Sequence, residues 1–228
     1  MDQISVEVER DGLGRFLGGG IPRGTMMLVT GENGAGKSAL CQRLVYAFLL
    51  HGAGVTYIST EMATKGFSDQ MRSLDYPVDD HLLSRKLTFV PVFPMIKGHL
   101  PGHYLGRLLT EPRLFDRDVT VIDSLSTMLR KEDEESLFRA IRHFKDIASR
   151  NRLVVLTADP ADITESMAQI IRSASDIYIE AVIDTSEGAI EHLLYIRRFL
   201  MARNRVGQIT GFRIEPGVGL ILDITRVV

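Results

Sequence analysis

The chain has 228 residues, of which 45% are hydrophobic and 25% are charged, as expected of a globular protein large enough for one α/β domain. A formal net charge of −2 argues against a protein whose main task is to coat nucleic acid, because such domains carry a basic excess. The single cysteine, Cys41, excludes an intrachain disulfide and fits a reducing compartment; in a predicted helix it is expected to be a small buried hydrophobe.

The first half of the chain is predicted to alternate between strands and helices. ISVEVER alternates apolar and polar residues, which predicts a half-buried strand, and LGGGIPRG is predicted to be a loop. The buried strand TMMLVT precedes a helix from about Gly36 to Leu50. Next come a buried strand at VTYIST, a short helix at FSDQMRSL and a strand at LTFVPVF. Residues 94–118 are predicted to be irregular apart from a helical turn or two around Leu105 to Leu109.

The second half begins with the same alternation and then changes to strands alone. VTVIDS and LVVLTA are predicted buried strands, and DEESLFRAIRHFKDIASR and ADITESMAQIIRSA are predicted helices. DIYIEAVID, EHLLYIRRFL, TGFRIE and GLILDI predict strands joined by turns. This order indicates an α/β fold with a mostly parallel sheet flanked by helices and extended by antiparallel C-terminal strands. Without a repeat, linker or low-complexity tract, we expect one domain over residues 1–228.

The segment GENGAGKS fits the pattern G-x-x-x-x-G-K-[ST] of a phosphate-binding loop. Its glycines allow several backbone N–H groups to point at one phosphate group, and the helix that follows adds its positive end. Lys37 would reach the β and γ phosphates, and the Ser38 hydroxyl would ligate Mg²⁺. Because the motif follows a buried strand and opens a helix, we interpret it as a nucleotide site rather than a chance match. The predicted nucleotide-binding residues are Gly31, Glu32, Asn33, Gly34, Ala35, Gly36, Lys37, Ser38 and Ala39, together with Asp123.

Acidic residues follow two of the other buried strands. Asp123 ends VTVID and is the candidate second anchor for Mg²⁺, although an Asp there could also cap the next turn. Ser124 follows it where many phosphate-loop ATPases have a water-activating Glu, so another acid must serve if hydrolysis occurs. Glu61, after VTYIST, is the candidate because the carboxyl ends of parallel strands share one crevice. The alternative for Glu61 is a solvated acid in a turn.

Three weaker features remain open. Thr157 and Asp159 follow LVVL and could sense the γ-phosphate or cap the next helix, with capping favoured. His99 and His103 are four residues apart, but no third ligand with a zinc spacing lies nearby, so we interpret them as loop residues. The arginines of IRRFLMARNRV favour a subunit interface or a solvated strand face over a nucleic-acid contact, and the acidic run KEDEES favours a solvated helix start.

The order of LGGGIPRGTMMLVTGENGAGKSAL, YISTE and VTVIDS resembles the RecA/KaiC class of ATPases over most of the chain. STEMATKGFSDQMRSLDY, LTADP with IIRSASD, and FRIEPGVGL are similar to the FlaH family within that class, the KaiC-like ATP-binding proteins of the archaellum motor. The resemblance implies a RecA-like core that binds ATP and Mg²⁺, with Glu61 in the position of the catalytic base. It also implies a regulator with slow turnover rather than a fast motor.

The same resemblance implies partners and a location. These are the hexameric motor ATPase of the archaellum and a scaffold ring at the membrane base, with this chain itself forming a ring, expected to be a hexamer. No apolar run is long enough to span a bilayer, and the chain begins with polar and acidic residues, so we expect a cytoplasmic protein without membrane insertion.

One departure from the family pattern concerns a late strand. KaiC-like proteins have a Lys-x-Arg pair there that reaches a neighbouring subunit's nucleotide, whereas this chain has Met201-Ala202-Arg203. Arg203 is either a trans-acting residue or a surface residue of an edge strand. The loss of the Lys makes fast turnover doubtful, because a trans-acting cation accelerates other phosphate-loop enzymes strongly. The alternatives to a motor regulator are a RecA-like DNA-dependent ATPase and a stand-alone KaiC-like signalling ATPase or kinase.

Overall fold

The computed structural model describes residues 2–9, 11–92, 104–185 and 190–223. Its main feature is a nine-stranded sheet in the order β11-β10-β9-β8-β3-β7-β6-β4-β5. The strands are β3 (Met26–Thr30), β4 (Val55–Ser59), β5 (Leu87–Pro91), β6 (Val119–Asp123), β7 (Leu153–Ala158), β8 (Ile177–Asp184), β9 (Glu191–Phe199), β10 (Ile209–Glu215) and β11 (Gly219–Asp223).

The sheet has a parallel part and an antiparallel part. Strands β3 to β8 pair in parallel, and β9, β10 and β11 extend the sheet beyond β8 as antiparallel strands. All residues of β3, β4, β6 and β7 are buried, because helices cover both faces of this part of the sheet. The predicted sheet and its antiparallel extension are therefore confirmed.

Eight α-helices connect and cover the strands within the described ranges. They are α1 (Leu13–Phe16), α2 (Lys37–Leu50), α3 (Thr64–Ser73), α4 (Asp79–Leu83), α5 (Tyr104–Leu109), α6 (Leu125–Leu129), α7 (Glu134–Ser149) and α8 (Glu165–Ala174). Short 3-10 helices lie at Pro112–Phe115 and Pro160–Asp162. None of the described helices has the length and apolar character needed to cross a bilayer.

Two hydrophobic clusters form the core, one on each face of the sheet. The first contains the buried residues of α2 and α3, and the second contains those of α5 to α8. Helix α7 shows how the sequence pattern produces this packing: Leu137, Ile141, Phe144 and Ala148 are buried as their spacing predicts, and the Asp133 carboxylate accepts a hydrogen bond from the Ser136 N–H at its start.

The N-terminal region differs from its prediction. The strand expected at ISVEVER is shorter: β1 covers Gln3–Ser5 and pairs with β2 (Gly20–Pro22) in a separate two-stranded sheet. Strand β2 lies within the segment LGGGIPRG, which was predicted to be a loop, and helix α1 directly precedes this segment. The pairing ends at Ser5 because the partner strand begins after Gly18 and Gly19, whose positive φ angles are incompatible with an extended strand.

Candidate nucleotide-binding site

The phosphate-loop sequence lies between β3 and α2, at the carboxyl end of the parallel strands. Two glycines allow its backbone to pack closely against strands β8 and β10 of the sheet. A Cβ atom on Gly31 would overlap the carbonyl oxygen of Ala181 on β8. Gly36 has a φ of 92°, and a Cβ atom there would lie 2.7 Å from the Phe212 ring on β10. These positions therefore require glycine for space, and Gly36 requires it for its backbone conformation as well.

The loop has a buried base and an exposed rim. Glu32, Asn33 and Gly34 are exposed, whereas the Ala35 side chain is fully buried in the core. The Lys37 side chain is buried, and its ammonium donates hydrogen bonds to the carbonyl oxygens of Gly31 and Glu32 at 2.7 and 2.8 Å. One cation therefore lies inside the loop at the N-terminus of α2, where a bound anion would also meet the helix dipole.

Asp123, at the end of β6, accepts hydrogen bonds from three hydroxyl groups. Its Oδ1 accepts from Thr157 Oγ1 at 2.7 Å and from Ser38 Oγ at 3.2 Å, and its Oδ2 accepts from the Tyr57 hydroxyl at 2.6 Å. We call these four residues the hydroxyl cluster. Burial, with the Asp123 charge as the next cause, raises the pKa of Tyr57 well above its ordinary value. The phenol therefore remains a donor to the carboxylate at neutral pH.

The contacts of Asp123 show whether its side chain caps the helix that follows β6. Helix α6 has Ser124 at its N-cap with no side-chain cap hydrogen bond, and the Asp123 carboxylate instead faces the hydroxyl groups of Ser38, Tyr57 and Thr157. Asp123 therefore does not cap the next helix but holds its carboxylate next to the first turn of α2.

Ser38 and Asp123 are suitable ligands for Mg²⁺. Their oxygens are 3.2 Å apart beside the loop, and Mg²⁺ is typically bound by one or two such protein oxygens plus substrate phosphates and water. No group of three His, Cys, Asp or Glu side chains that could hold a metal occurs within the described ranges. The Ser38 and Asp123 oxygens fit a metal that is shared with a bound phosphate.

Glu61 lies just beyond β4, where its backbone N–H donates to Ser59 Oγ at 3.2 Å. The residue is exposed, and within the described part of the chain its carboxylate has no hydrogen-bonding partner. Partial desolvation raises the pKa of Glu61, as does the nearby Asp123 charge, whereas Lys37 opposes the increase. The structure therefore brings Glu61 near the loop and the hydroxyl cluster, but no described side chain orients it.

Thr157 and Asp159 have different contacts. The Asp159 carboxylate accepts from the Ala161 N–H at 3.0 Å and caps the 3-10 helix that follows, so the favoured capping role is confirmed for this residue. Thr157 caps nothing and donates to Asp123 instead. Sequence reasoning did not identify this contact or the one from Tyr57. The available signal was a hydroxyl-bearing side chain in each of two buried strands.

Two comparisons with known sequences identify the family. The profile described as "ATPase: KaiC" matches residues 6–216. The chain is 32% identical to the archaeal flagellar ATP-binding protein FlaH of Methanocaldococcus jannaschii, with 100% of this chain and 98% of that protein covered. It is 31% identical to the protein of the same description from Methanococcus voltae over all of both chains. The chain belongs to the FlaH family of KaiC ATPases.

Solved structures agree with the FlaH assignment. The crystal structure of the flagellar accessory protein FlaH from M. jannaschii matches with a TM-score of 0.93, and the match covers 98% of this chain and all of that one. A KaiC-like protein from Pyrococcus horikoshii matches with a TM-score of 0.76 at 18% identity, over 97% of this chain and all of that one, which shows a shared fold. The predicted RecA-like fold is therefore confirmed for this FlaH-family chain.

Arg203 lies far from the phosphate loop of its own chain. It is an exposed residue of the connection between β9 and β10, so the interpretation that placed it on an edge strand is wrong. The preceding strand ends at Phe199, which pairs with Ile177 at the start of β8. This connection therefore lies at the sheet edge where the parallel strands begin, opposite the phosphate loop. The nearby Asn204 side chain fixes it by donating to the Gly18 carbonyl at 2.9 Å.

Two arginines of the segment IRRFLMARNRV make contacts within the fold. Arg198 donates to the carbonyls of Arg172 and Ser175 at the end of α8, and Arg197 pairs with Glu180 at 2.7 Å. The arginine-rich segment thus has at least two arginines engaged within the fold. Cys41 is buried as expected. His99 and His103 lie outside the described residues.

Proposed function

We propose that this chain is the ATP-binding regulatory component of the archaellum motor and assembly machinery, and that its nucleotide state controls its binding to the motor ATPase. The observation that carries this proposal is the phosphate loop, with Lys37 inside it and the hydroxyl cluster beside it, in a fold of the FlaH family. The link to ATP and to the archaeal flagellum comes from the names of the related proteins.

In this proposal the chain binds ATP through residues 31–39 as one domain over residues 1–228. Lys37 exchanges its contacts with the Gly31 and Glu32 carbonyls for the β and γ phosphates, and the start of α2 faces the same anion. Ser38 and Asp123 would hold Mg²⁺, which neutralises phosphate charge when it is bound. Tyr57 and Thr157 keep the Asp123 carboxylate directed toward Ser38.

We propose that hydrolysis is weak or absent. Glu61 is the residue that would activate water, but its carboxylate lacks a partner in the described structure that would orient it, and a base must be positioned as well as basic. Met201 occupies the position of the family's Lys, and Arg203 lies at the opposite sheet edge. Only an Arg203 from another copy could therefore approach the phosphates, which favours a nucleotide-gated switch over a fast enzyme.

The proposal places the protein in the cytoplasm, at the membrane base of the motor through its partners. We infer that it forms a homo-oligomeric ring, as a hexamer, and that it contacts both the motor ATPase and a scaffold ring. Regulation requires that the ATP-bound and ATP-free states bind the motor ATPase differently, since a ligand shifts an equilibrium only by its differential affinity.

The test compares wild type with Lys37→Ala. The wild type is expected to bind ATP with Mg²⁺ in calorimetry and to change its affinity for the purified motor ATPase roughly fivefold or more when ATP is added. Lys37→Ala should lose both ATP binding and the ATP effect. Lys131→Ala, a change at an exposed lysine outside the phosphate loop, is the control and should retain both. If Lys37→Ala bound the motor ATPase as the wild type does, with and without ATP, the regulatory role would be wrong.

A further inference from the structure

A polar cavity of about 510 Å³ lies at the sheet edge opposite the phosphate loop. Its position follows from three backbone hydrogen bonds at the beginnings of parallel strands: Val55 donates to Lys86, Val119 to Gly54, and Leu153 to Asp118. Since the strands rise by about 3.3 Å per residue, their five or six residues separate this cavity from the nucleotide crevice by roughly 16 Å. The cavity is therefore separate from the proposed nucleotide site.

The lining of this cavity is mainly basic. Two acidic side chains, Asp116 and Asp118, lie among five cationic ones, although the whole chain has a net charge of −2. The cations come from separate segments, namely the β2–β3 turn, the approaches to β5 and β6, and the connection after α7. They are Arg23, Lys86, Arg117, Arg150 and Arg152.

Three of the five cations are already paired. Arg23 pairs with Asp118 at 2.8 Å, Arg150 with Asp146 at 2.6 Å, and Arg152 with Asp116 at 3.6 Å.

Lys86 and Arg117, by contrast, have no carboxylate within ion-pair distance among the residues whose positions are described. Lys86 is exposed, and Arg117 is half-buried with its side chain packed near Gly54. The cavity therefore holds two cations that no carboxylate of the described residues neutralises.

The surroundings favour separate carboxylates over one compact phosphate group. Helix α7 ends at Ser149 next to the cavity and directs its carbonyl groups toward that end, where the helix dipole is negative. A multiply charged phosphate would meet these carbonyls and the two aspartates at close range. Carboxylates spread along an extended chain can pair with the separated cations one at a time, each through charge-assisted hydrogen bonds.

We propose that this cavity binds an acidic segment of a partner protein, with carboxylates of that segment pairing with Lys86 and Arg117. This binding site is additional to the proposed nucleotide function and does not depend on it. Because the pairs form in an open, solvated cavity, the affinity should be modest and should decrease as salt is added.

The test measures fluorescence anisotropy of a labelled deca-glutamate peptide against a deca-glutamine peptide at low salt. The wild type should bind the glutamate peptide at least about tenfold more tightly than the glutamine peptide. The double variant Lys86→Glu with Arg117→Glu should bind the glutamate peptide about tenfold more weakly than the wild type does. Arg107→Glu with Arg142→Glu is the matched control, since both residues are exposed, neither lines the cavity, and the net charge changes equally. This control should bind nearly as the wild type does.

Three outcomes would contradict an acidic partner segment as the occupant of the cavity. Equal weakening in both double variants would overturn the proposal, since net charge alone would then explain binding. Tighter binding of tripolyphosphate than of the peptide would also overturn it, in favour of a phosphate site. A change in sedimentation of the chain alone in Lys86→Glu with Arg117→Glu would instead identify a second copy as the occupant. Thermal unfolding checks that the variants fold, and Lys37→Ala should leave peptide binding unchanged even if the nucleotide proposal fails.

Discussion

Asp123 illustrates how single residues determine the candidate site. Its carboxylate accepts from Ser38, Tyr57 and Thr157, which come from α2, β4 and β7. Ser38 is the only one of the three donors that also belongs to the phosphate loop. Tyr57 and Thr157 therefore act as positioning residues, because they fix the carboxylate through contacts that do not involve the phosphate loop itself.

Tyr57→Phe should weaken binding of ATP with Mg²⁺ roughly 10- to 100-fold while changing Mg²⁺-free ATP binding much less. The reason is that the phenol orients the carboxylate and touches neither the loop nor the phosphates. Calorimetry in Mg²⁺ and in EDTA measures the two affinities. Tyr178→Phe removes another hydroxyl, one that accepts from Thr30 at 3.2 Å, and should leave both affinities unchanged. Equal losses in Mg²⁺ and EDTA would show that Tyr57 has only a structural role.

Predictability at this scale depends on distance along the chain. The phosphate-loop residues are contiguous, so one motif identified them all. The contact from Tyr57 to Asp123 spans 66 residues and the contact from Thr157 spans 34, and only the parallel register of β4, β6 and β7 brings these residues together. Neither strand's own pattern of apolar residues contains that information.

Among the helices, α2 carries the phosphate loop at one end and a buried ion pair in its middle. Arg43 is fully buried, and its Nη2 donates to Asp11 Oδ1 at 2.9 Å while its Nε donates to the other carboxylate oxygen. Asp11 also accepts from the Leu13 N–H at the start of α1. The helix is thereby connected to the N-terminal segment through one carboxylate.

Asp11→Ala should lower the free energy of unfolding by about 3–5 kcal/mol, because it leaves a buried guanidinium without its counter-charge. Urea denaturation measures this loss. Adding Arg43→Met should recover part of it, since the unpaired charge is then gone. Asp69→Ala, which breaks the exposed pair with Lys65, is the control and should cost less than about 1 kcal/mol. A loss below about 1 kcal/mol for Asp11→Ala would contradict this account.

The elements of the main sheet were predictable because each has a continuous apolar run or a helical period. The two-stranded sheet was not, because β1 and β2 have three residues each and a glycine-rich composition masks the second strand. Helix α1 has four residues, too few to show a period. Short elements held by tertiary contacts leave little local pattern, so the errors concentrate in short elements, which include the five-residue helices α4 and α6, also absent from the prediction.

In the molecule as a whole, the two ends of the sheet have different chemistry. The phosphate loop, Glu61 and Asp123 lie where the parallel strands end, and Arg203 lies where they begin. The sequence alone placed Glu61 and Asp123 at one edge correctly, because strands of a parallel sheet end on the same side. It did not place Arg203, because Met201-Ala202-Arg203 resembles a strand motif but lies in a turn.

This arrangement predicts that any ATP turnover depends on protein concentration. Turnover per chain should be slow in the dilute protein and should increase about tenfold or more with concentration. Arg203→Ala should remove this increase, because the arginine can reach only another copy's nucleotide. A steady-state assay across a dilution series measures this effect. Arg205→Ala, in the same connection, is the control. If Arg203→Ala also impaired turnover or ATP affinity in the dilute chain, the trans role would be wrong.

The hydrogen bond from Tyr57 to Asp123 also has an optical consequence. The chain contains six tyrosines and no tryptophan, so tyrosine emission is not masked. A carboxylate that accepts a hydrogen bond from an excited phenol takes up its proton and quenches its fluorescence. If a bound cation draws charge from the Asp123 carboxylate, Tyr57 should become brighter. The protein would then report occupation of its own site without an added dye.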